Sequence, residues 1–529
     1  MTYDLLIKHG TVIDGTGAPG VMADVGVSGG RITAMAPHLE GSAGREIDAS
    51  KRVVAPGFID VHTHSDFTLL SAPGADSKVR QGITTEVVGN CGFSPAPVRP
   101  QTLELLQEYT GFLNSRLPWN WQSLGEFYQR VSERGCAMNI APLVGHGAVR
   151  IAVMGFDNRP PSATELLEMQ RLVGEAMEDG AFGISSGLIY TPGCYGDTAE
   201  LVALSHVVRD GGGIYATHMR GEGATLEASI VEALRIGEEA RIPVQISHLK
   251  ASGRENWGKM ERALHMIDEA RARGLAVTAD IYPYIASSTT MTSLFPAWTL
   301  EGGMERFLAR IADPTTRQRI IDEVQGGREG WSRANGSVGW DDIVVSSCQN
   351  QKAFEGKTVA QIAAAMGQDP AHAMMDFLVA EEGTASIIMF MMSEDNVARG
   401  IAHPHVMIGS DSLALATGQG GKPHPRTYGT FPRVLGKYVR QERVITLEDG
   451  VRKMTSMAAA KLGLSDRGVL ATGKAADITI FDAATVGDRA TFEEPHQFPD
   501  GIDYVIVNGQ IVVEHGMQNP VLPGQVLRK

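Results

Sequence analysis

The sequence predicts an α/β protein in which a barrel of eight βα units is joined to a small β-sandwich. Two observations support this prediction. Apolar runs rich in β-branched residues alternate with helical stretches through the middle of the chain, as in a parallel barrel. The two chain ends instead share short strands separated by glycine turns. A length of 529 residues accommodates one large barrel and a smaller domain.

The composition is that of an ordinary globular protein, with 43% hydrophobic and 20% charged residues. A net charge of −14 disfavours phosphate backbones, so we expect no nucleic-acid partner. No apolar run approaches the roughly 18 to 20 residues that span a bilayer, so we expect no membrane partner. The N-terminal segment lacks the apolar stretch of a secretory signal, which predicts a cytoplasmic protein.

The two chain ends have matching patterns. YDLLIKHGTVID near the N-terminus and DYVIVNGQIVVEHG near the C-terminus both consist of short strands broken by glycine turns or charged residues. Neither end is long enough to enclose a core alone. We therefore predict that residues 1–56 and 456–529 pair into one small sheet domain.

Residues 57–455 form the predicted barrel. Between the third and fourth apolar runs, Ser162 and Glu165 have the spacing of a capping box, and Gly180 provides a stop, which predicts a crossover helix. The eight runs are GFIDVHTH, TTEVVGNC, MNIAPLVGHG, AFGISSG, GIYATHM, PVQISHL, LAVTADIYP and HVMIGSDS.

The connection between the seventh and eighth runs is more than a hundred residues long. Connections between strand and helix in such folds usually take roughly 2 to 6 residues. We therefore predict a lid or subdomain inserted at about residues 289–400, with aromatic, glycine and charged segments between Phe295 and Trp340.

Potential metal ligands follow the predicted barrel strands. His62 and His64 close the first run, and their two-residue spacing places both side chains on the same side of a strand. Because the carboxyl ends of barrel strands converge at one face, ligands from several runs can meet there. Imidazole, thiolate and carboxylate groups predict a metal site. The remaining candidates close the second, fifth, sixth and eighth runs: Cys91, His218, His248 and Asp411.

Single residues of these types also have structural roles. His146 is either a hydrogen-bonded structural residue or a support for the metal ligands. Lone cysteines are usually inert core residues, and we interpret Cys136, Cys194 and Cys348 in this way. Asp411 alone would be consistent with a helix cap, but the histidine pair of the first run favours a metal site.

The motifs resemble, as a set and over nearly the whole chain, the N-acyl-D-amino-acid deacylases, or D-aminoacylases, of the amidohydrolase superfamily. The resemblance implies a TIM-type (β/α)8 barrel with a small β-sandwich from both chain ends. It also implies zinc, held tightly by Cys91, His218 and His248 and more weakly by His62 and His64 with the cysteine shared. The motifs are PGFIDVHTHSD, VVGNCGFSPAP, YATHMRGEG, ISHLK, DIYPYIASST, GSDS and KPHPRTYGTFPRVL.

The fourth run, AFGISSGLIY, contains no lysine. This argues against the hydantoinase and dihydroorotase type of binuclear site, in which a carbamoylated lysine on the fourth strand is a ligand. Cys91 is then the expected replacement for that ligand.

The resemblance implies zinc-dependent hydrolysis of the amide bond in N-acyl-D-amino acids. Deprotonating water at neutral pH and protonating the leaving amine require a general acid-base, and we assign Asp411 to this role. Tyr190 matches the phenol that donates to the carbonyl oxygen. Contacts to the substrate are expected from four residues: Lys250, Arg426, Tyr282 and Ser288.

Relatives specific for acidic D-amino acids tend to carry an arginine shortly after the seventh-strand motif. Residues Thr290 to Pro296 of this chain carry no charge, which favours an apolar substrate side chain. Two alternatives stay open. The same centre would also suit D-residue dipeptide, cyclic-amide or carbamoyl hydrolysis, and a non-catalytic barrel acting as a binding or assembly protein would be expected to have lost its ligands. The sequence predicts no oligomeric state.

Overall fold

The computed structural model describes residues 2–113, 117–325, 338–416 and 418–529. Within these residues, parallel strands form a barrel that the bridge between Thr63 and Ser412 closes. Each of the eight predicted runs contains one barrel strand, so the predicted fold class is confirmed. In order the strands are Phe58–Asp60, Ile83–Val88, Asn139–Pro142 with its continuation Val144–Gly145, Gly183–Gly187, Ile214–His218, Val244–Ile246, Val277–Ile281 and Val406–Ile408.

Helices pack around the barrel strands. The helix Ala163–Glu178 begins with the predicted capping box, in which Ser162 and Glu165 satisfy each other's backbone N–H groups, and it buries Met169 and Val173. The other helices outside the long insertion are Asp76–Val79, Leu103–Thr110, Leu124–Arg134, His146–Met154, Thr198–Asp210, Leu226–Ala240, Met260–Ala272, Glu394–Ala402, Arg426–Arg433 with the π-helical Val434–Gln441, Leu447–Lys453 and Ser456–Leu462.

The two chain ends meet in a nine-stranded sheet. Val53–Pro56 pairs antiparallel with Ile478–Phe481, which joins the N-terminal and C-terminal groups of strands. Alternate side chains of these strands form a separate apolar core. The other strands of the sheet are Thr2–Val12, Val21–Ser28, Arg31–Ala36, Ser42–Asp48, Ile502–Val507, Gln510–Glu514 and Met517–Gln518.

The helix Ser456–Leu462 connects the barrel to the last strands of the small sheet. Its Ala458 and Leu462 side chains pack with Ile59 and Val61 near the first barrel strand. This helix therefore belongs to the barrel's packing even though it follows the last barrel strand in sequence.

The long seventh connection contains a three-stranded antiparallel sheet in which Ser386–Phe390 is the central strand between Ala286–Thr290 and Ile343–Ser347. The first of these strands brings Ser288 and Thr289 toward the barrel. Residues 326–337 of the predicted lid lie outside the described residues. The helices of the insertion are Met304–Ala312, Pro314–Gln325, Val359–Met366 and Pro370–Ala380.

Among the described residues, no helix combines the length and the apolar character needed to cross a membrane.

Candidate metal centre

Three of the predicted ligands lie just after barrel strands in unusual backbone conformations. Cys91, His248 and Asp411 have φ angles of 55°, 36° and 50°, in the left-handed region that non-glycine residues rarely adopt. Such conformations cost free energy and persist where the surrounding fold imposes them, often at functional sites. Here they turn three ligand side chains toward the same point at the carboxyl ends of the strands.

Four of the predicted ligands form a close group, which consists of His62, Cys91, His248 and Asp411. The Nε2 atom of His62 lies 3.2 Å from Cys91 Sγ and 3.5 Å from Asp411 Oδ1. Cys91 Sγ lies 3.6 Å from His248 Nε2. One ligand atom from each of these four residues falls within 4.8 Å of the others, close enough for all four to surround one ion.

The other two predicted ligands lie beside this group. His64 Nε2 is 3.1 Å from Asp411 Oδ1. The His218 ring stands edge-on to the His248 ring with 4.3 Å between their centroids. The fold therefore brings all six predicted ligands together, and their assignment to one or two zinc ions stays a prediction.

The Cys91 side chain is poised as a thiolate. Burial alone would raise the pKa of its thiol, but the charge of His62 and the neighbouring imidazoles of His218 and His248 lower that pKa well below its ordinary value. The thiolate is the form of cysteine that binds metals. A buried thiolate at this point favours a cation beside it.

The donor set fits zinc. Both ring nitrogens of His218 and the Nδ1 atom of His64 are buried without a hydrogen-bond partner. Buried polar atoms are normally satisfied, so these nitrogens indicate ligand positions. The carboxylate of Asp411 and the Cys91 sulfur outweigh burial and raise the pKa of His64 to about 9. The cluster thus attracts positive charge, which a divalent cation held by imidazole and thiolate groups provides.

Asp411 connects the ligands to a predicted substrate residue. Its Oδ2 atom lies 2.9 Å from Arg426 Nη1, while its other oxygen faces His62 and His64. Burial would raise the pKa of this carboxyl group, but the charges of Arg426 and His62 hold it well below its ordinary value. Asp411 is therefore ionised and able to accept a proton.

Tyr190 reaches the same space from the fourth barrel strand. Its ring lies 5.0 Å from the His218 ring, and its hydroxyl is 2.9 Å from Thr289 Oγ1. Burial and the negative charge of Cys91 raise the pKa of this phenol well above its ordinary value. The hydroxyl stays protonated and is able to donate a hydrogen bond.

The four predicted substrate residues lie together around one aromatic ring. The guanidinium of Arg426 lies over the Tyr282 ring at 4.7 Å and donates a hydrogen bond to the backbone oxygen of Ser288. The ammonium of Lys250 lies 5.8 Å from the same ring. The Tyr282 hydroxyl is buried without a hydrogen-bond partner. Their contacts with a substrate stay predictions.

Sequence reasoning missed two buried carboxylates. Asp280, at the end of the seventh barrel strand, lies 3.1 Å from His62 Nδ1 and accepts a 2.8 Å hydrogen bond from the His248 backbone. Glu222 contacts the Lys250 ammonium at 2.6 Å. Both residues stand at or just after apolar runs, as the predicted ligands do, so the same positional signal would have identified them.

His146, for which two roles were left open, and the three cysteines interpreted as structural have different environments. His146 is buried 2.6 Å from Glu200, which also pairs with Arg150, and this agrees with a structural role. Cys136 and Cys348 are buried as expected. Cys194 is not a core residue, however, because it is only partly buried and lines a cavity beside Tyr190.

Two cavities meet at the aromatic side chains Phe93, Phe112 and Tyr190, which line both. The smaller cavity, of about 90 Å³, contains His64, Asp411 and Ser288 among its lining residues. The larger, of about 520 Å³, is mostly apolar and includes these residues of the insertion: Thr290, Thr292, Phe295, Leu300 and Met304.

A model of the amidohydrolase family matches residues 45–513, which is most of the chain. The chain belongs to this family. Within it, the chain is 38% identical to the N-acyl-D-glutamate deacylase of Alcaligenes xylosoxydans xylosoxydans, over 99% of this chain and 96% of that protein. It is 37% identical to the D-aminoacylase of the same organism, over 100% of this chain and 98% of that protein.

The structure is also similar to that of N-acyl-D-glutamate deacylase from Bordetella bronchiseptica, which was crystallised with zinc and a phosphonate that mimics the tetrahedral intermediate. The TM-score is 0.85, with 36% identity over 100% of both chains. The predicted membership in the N-acyl-D-amino-acid deacylase group of amidohydrolases is confirmed. The zinc of that relative agrees with the donor set found here.

Proposed function

We propose that this protein is a zinc-dependent deacylase that hydrolyses N-acyl-D-amino acids to a carboxylate and a free D-amino acid. The observation that carries the proposal is the position of Asp411. One of its oxygens faces His62 and His64, and the other faces Arg426. A single carboxylate thus links the predicted metal ligands to the predicted binding group for the substrate's α-carboxylate.

The zinc would be held by Cys91, His218 and His248, with His62 and His64 as ligands of a second site. Bound zinc supplies Lewis acidity, which polarises an amide carbonyl and makes water acidic enough to lose a proton near neutral pH. The lowered pKa of Cys91 supports its role as the anionic ligand.

Asp411 is the general acid-base in this proposal. Its pKa is held well below the ordinary value, so it is ionised at neutral pH. In this role the carboxylate accepts the proton of the attacking water. Once protonated, it delivers that proton to the departing nitrogen. The salt bridge to Arg426 fixes the carboxylate, which lowers the entropic cost of both transfers.

Tyr190 and Arg426 orient the substrate. The protonated hydroxyl of Tyr190 donates to the carbonyl oxygen, where negative charge develops as the carbon becomes tetrahedral. The Nη1 atom of Arg426 forms an ion pair with Asp411 but makes no hydrogen bond. We therefore assign its N–H donors to the α-carboxylate of the substrate. Lys250, Tyr282 and Ser288 surround the same end of the substrate.

We propose an apolar side chain for the preferred D-amino acid. The cavity of about 520 Å³ beside Tyr190 lies within the range of roughly 300 to 1,000 Å³ that ligand pockets occupy. Its charged side chains already have partners, because Arg220 pairs with Glu232 at 2.9 Å and Glu108 accepts a hydrogen bond from the Met304 backbone. An acidic side chain would gain no free cation there.

A substrate panel tests the proposal. The zinc-loaded protein is incubated with N-acetyl-D-leucine, N-acetyl-D-glutamate, a hydantoin, a carbamoyl amino acid and a D-residue dipeptide, and released product is measured for each. We expect N-acetyl-D-leucine to give the highest kcat/KM. Preferred turnover of the hydantoin, the carbamoyl compound or the dipeptide would assign another amidohydrolase reaction, and no turnover of any compound would favour a binding protein.

We also propose that the chemistry resides in residues 57–455, with the insertion at about 289–400 supplying the substrate pocket. The sheet formed by the segments 1–56 and 456–529 would then serve the stability of the fold. The lining of the larger cavity by insertion residues supports this division.

A further inference from the structure

Glu222 lies at the centre of the site without a role in the reaction described above. It follows the fifth barrel strand by four residues, and its side chain is buried, with 4% of the residue exposed. Its backbone oxygen accepts a hydrogen bond from Ser252, which ties the loop after the fifth strand to the loop after the sixth. A buried carboxylate in such a position requires charged or hydrogen-bonding partners.

Three of the neighbours of Glu222 are predicted functional residues. Its Oε1 atom lies 2.6 Å from the Lys250 ammonium and 3.0 Å from His248 Nδ1, and its Oε2 atom lies 3.7 Å from His218 Nε2. All three of these neighbours present nitrogen atoms to the carboxylate, which therefore serves as their acceptor.

The two neighbours of His248 Nδ1 impose opposite tautomers. To bind a metal through the Nε2 atom that faces Cys91, the His248 ring must carry its proton on Nδ1. Glu222 Oε1, 3.0 Å from Nδ1, is placed to accept a hydrogen bond from that proton. Lys250 lies 2.8 Å from the same Nδ1 atom and has only donors, so it stabilises the ring with an unprotonated Nδ1.

We propose that Glu222 is a positioning residue that couples metal binding to recognition of the substrate's carboxylate. It stabilises the metal-binding tautomer of His248 and competes with His248 for the Lys250 ammonium, which lies 2.6 Å from Glu222 Oε1 and 2.8 Å from His248 Nδ1. This competition weakens the preference that the lysine gives to the other tautomer. The proposed effect on carboxylate recognition rests on the proposed deacylase function. The proposed effect on zinc binding, the zinc part, is therefore tested separately.

Glu222→Gln tests the zinc part. The amide keeps the shape of the side chain but loses the charge that attracts Lys250, so the ammonium donates to His248 Nδ1 without a competing carboxylate. We expect zinc to bind roughly 10-fold to 100-fold more weakly, the usual effect of losing a group that orients a ligand histidine. The measurement is competition for zinc with a chromophoric chelator, which needs no substrate. Glu222→Asp, which keeps the charge, should recover part of the affinity.

Glu232→Gln is the matched control. Glu232 is a partly buried carboxylate on the following helix that pairs with Arg220 and, within the described residues, forms no ion pair with a predicted ligand. We expect it to leave the zinc affinity unchanged. An unchanged zinc affinity in folded Glu222→Gln would overturn the proposal, as would an equal loss in the Glu232 variant. Should Glu222→Gln fail to fold, Glu222→Asp decides in the same way, with at least a threefold loss expected.

A double-mutant cycle with Lys250→Met tests the coupling. If Glu222 acts by competing with His248 for the ammonium, Glu222→Gln should cost little zinc affinity once the lysine is absent. If Glu222→Gln weakens zinc binding as much in the Lys250→Met background as in the wild type, the proposed role of Lys250 would be overturned. With saturating zinc, we expect Glu222→Gln to raise KM for N-acetyl-D-leucine more than it lowers kcat. If wild-type protein binds zinc but hydrolyses no N-acyl-D-amino acid, the deacylase function fails while the zinc measurements still decide the role of Glu222.

Discussion

The two ends of the barrel both bury polar side chains, but they satisfy them differently. At the carboxyl end, the histidines, Cys91 and Asp411 converge on one another, and both ring nitrogens of His218 have no hydrogen-bond partner. At the amino end, Lys453 and Lys461 donate to backbone oxygens at the starts of strands, including those of Val406 and Val244.

This difference shows which buried polar groups indicate a site. The lysines at the amino end complete the hydrogen bonding of carbonyl groups that would otherwise be buried unsatisfied. At the carboxyl end, both ring nitrogens of His218 and the Nδ1 atom of His64 stay unsatisfied. The neighbouring Cys91, His248 and Asp411 lie on strained backbone. Buried polar side chains therefore indicate ligand binding when they meet at one place and some of their atoms lack hydrogen-bond partners, and burial alone is not sufficient.

The largest expected effect is at the carboxyl end. Cys91→Ala removes the anionic ligand nearest both His62 and His248, so we expect loss of tightly bound zinc and of essentially all activity while the barrel stays folded. Metal analysis, hydrolysis assays and circular dichroism measure these effects. Cys136→Ala, which alters a buried thiol that no predicted ligand contacts in the described structure, is the control and should retain its zinc. Full zinc retention by Cys91→Ala would contradict the assignment of the metal site to the carboxyl end of the barrel.

Asp411→Asn separates proton transfer from metal binding. Asparagine keeps the shape of the side chain but cannot accept the proton from water, so turnover should fall by about 10² to 10⁴. The tightly bound zinc should stay. Steady-state kinetics over a range of pH, together with metal analysis, provide the measurement. A variant with the wild-type rate and pH profile would move the acid-base role to another residue.

Arg426→Lys should have a smaller effect. Lysine keeps the charge but loses the planar fork, so we expect a loss of about 1.5 to 3 kcal/mol in transition-state binding for N-acetyl-D-leucine. The carboxamide of the same substrate lacks the carboxylate and should be scarcely affected. Comparing kcat/KM for the two substrates gives the answer, and equal losses would show that Arg426 acts mainly through Asp411.

The smallest effect on activity is expected at the amino end, where a substitution should alter only stability. Burial lowers the pKa of Lys453 from 10.5 to about 8. Between these pH values the unfolded chain binds more protons than the folded chain, so the contribution to stability increases as pH rises through this window. The difference between the two pKa values corresponds to a change of about 3 kcal/mol in the free energy of unfolding.

Urea unfolding at several pH values checks this contribution. From pH 8 to about 10, the stability of the wild type should increase relative to that of Lys453→Met, while activity at neutral pH is similar in both. Lys357→Met, which changes an exposed lysine of the insertion, should show no such relative change. A stability difference between wild type and Lys453→Met that stays constant with pH would contradict the assignment.

Much of the site could be predicted from the sequence, because each ligand follows an apolar run and barrel strands end at one face. Which side chain each of these residues contacts could not be predicted. Nothing local relates Asp280 to His62 or Glu222 to Lys250, since these contacts depend on how loops from different strands approach each other. For the same reason the partial exposure of Cys194 was missed, because a cavity is a property of several segments.

The fold shows the same division. The capping box of the helix Ala163–Glu178 depends on residues three positions apart and was predicted correctly. The three-stranded sheet of the insertion pairs Ala286–Thr290 with Ser386–Phe390, about a hundred residues later, and no local pattern specifies that pairing. The pairing of the two chain ends was predictable only because neither end is sufficient for a core.

The central claim is that the carboxyl end of the barrel is a zinc centre that selects D-amino acids. Its most direct test measures kcat/KM for N-acetyl-D-leucine and N-acetyl-L-leucine with protein stripped of metal and then titrated with zinc. The account predicts no hydrolysis without metal, recovery of activity as zinc is added, and a strong preference for the D substrate. Equal hydrolysis of both enantiomers, or full activity in the stripped protein, would contradict it.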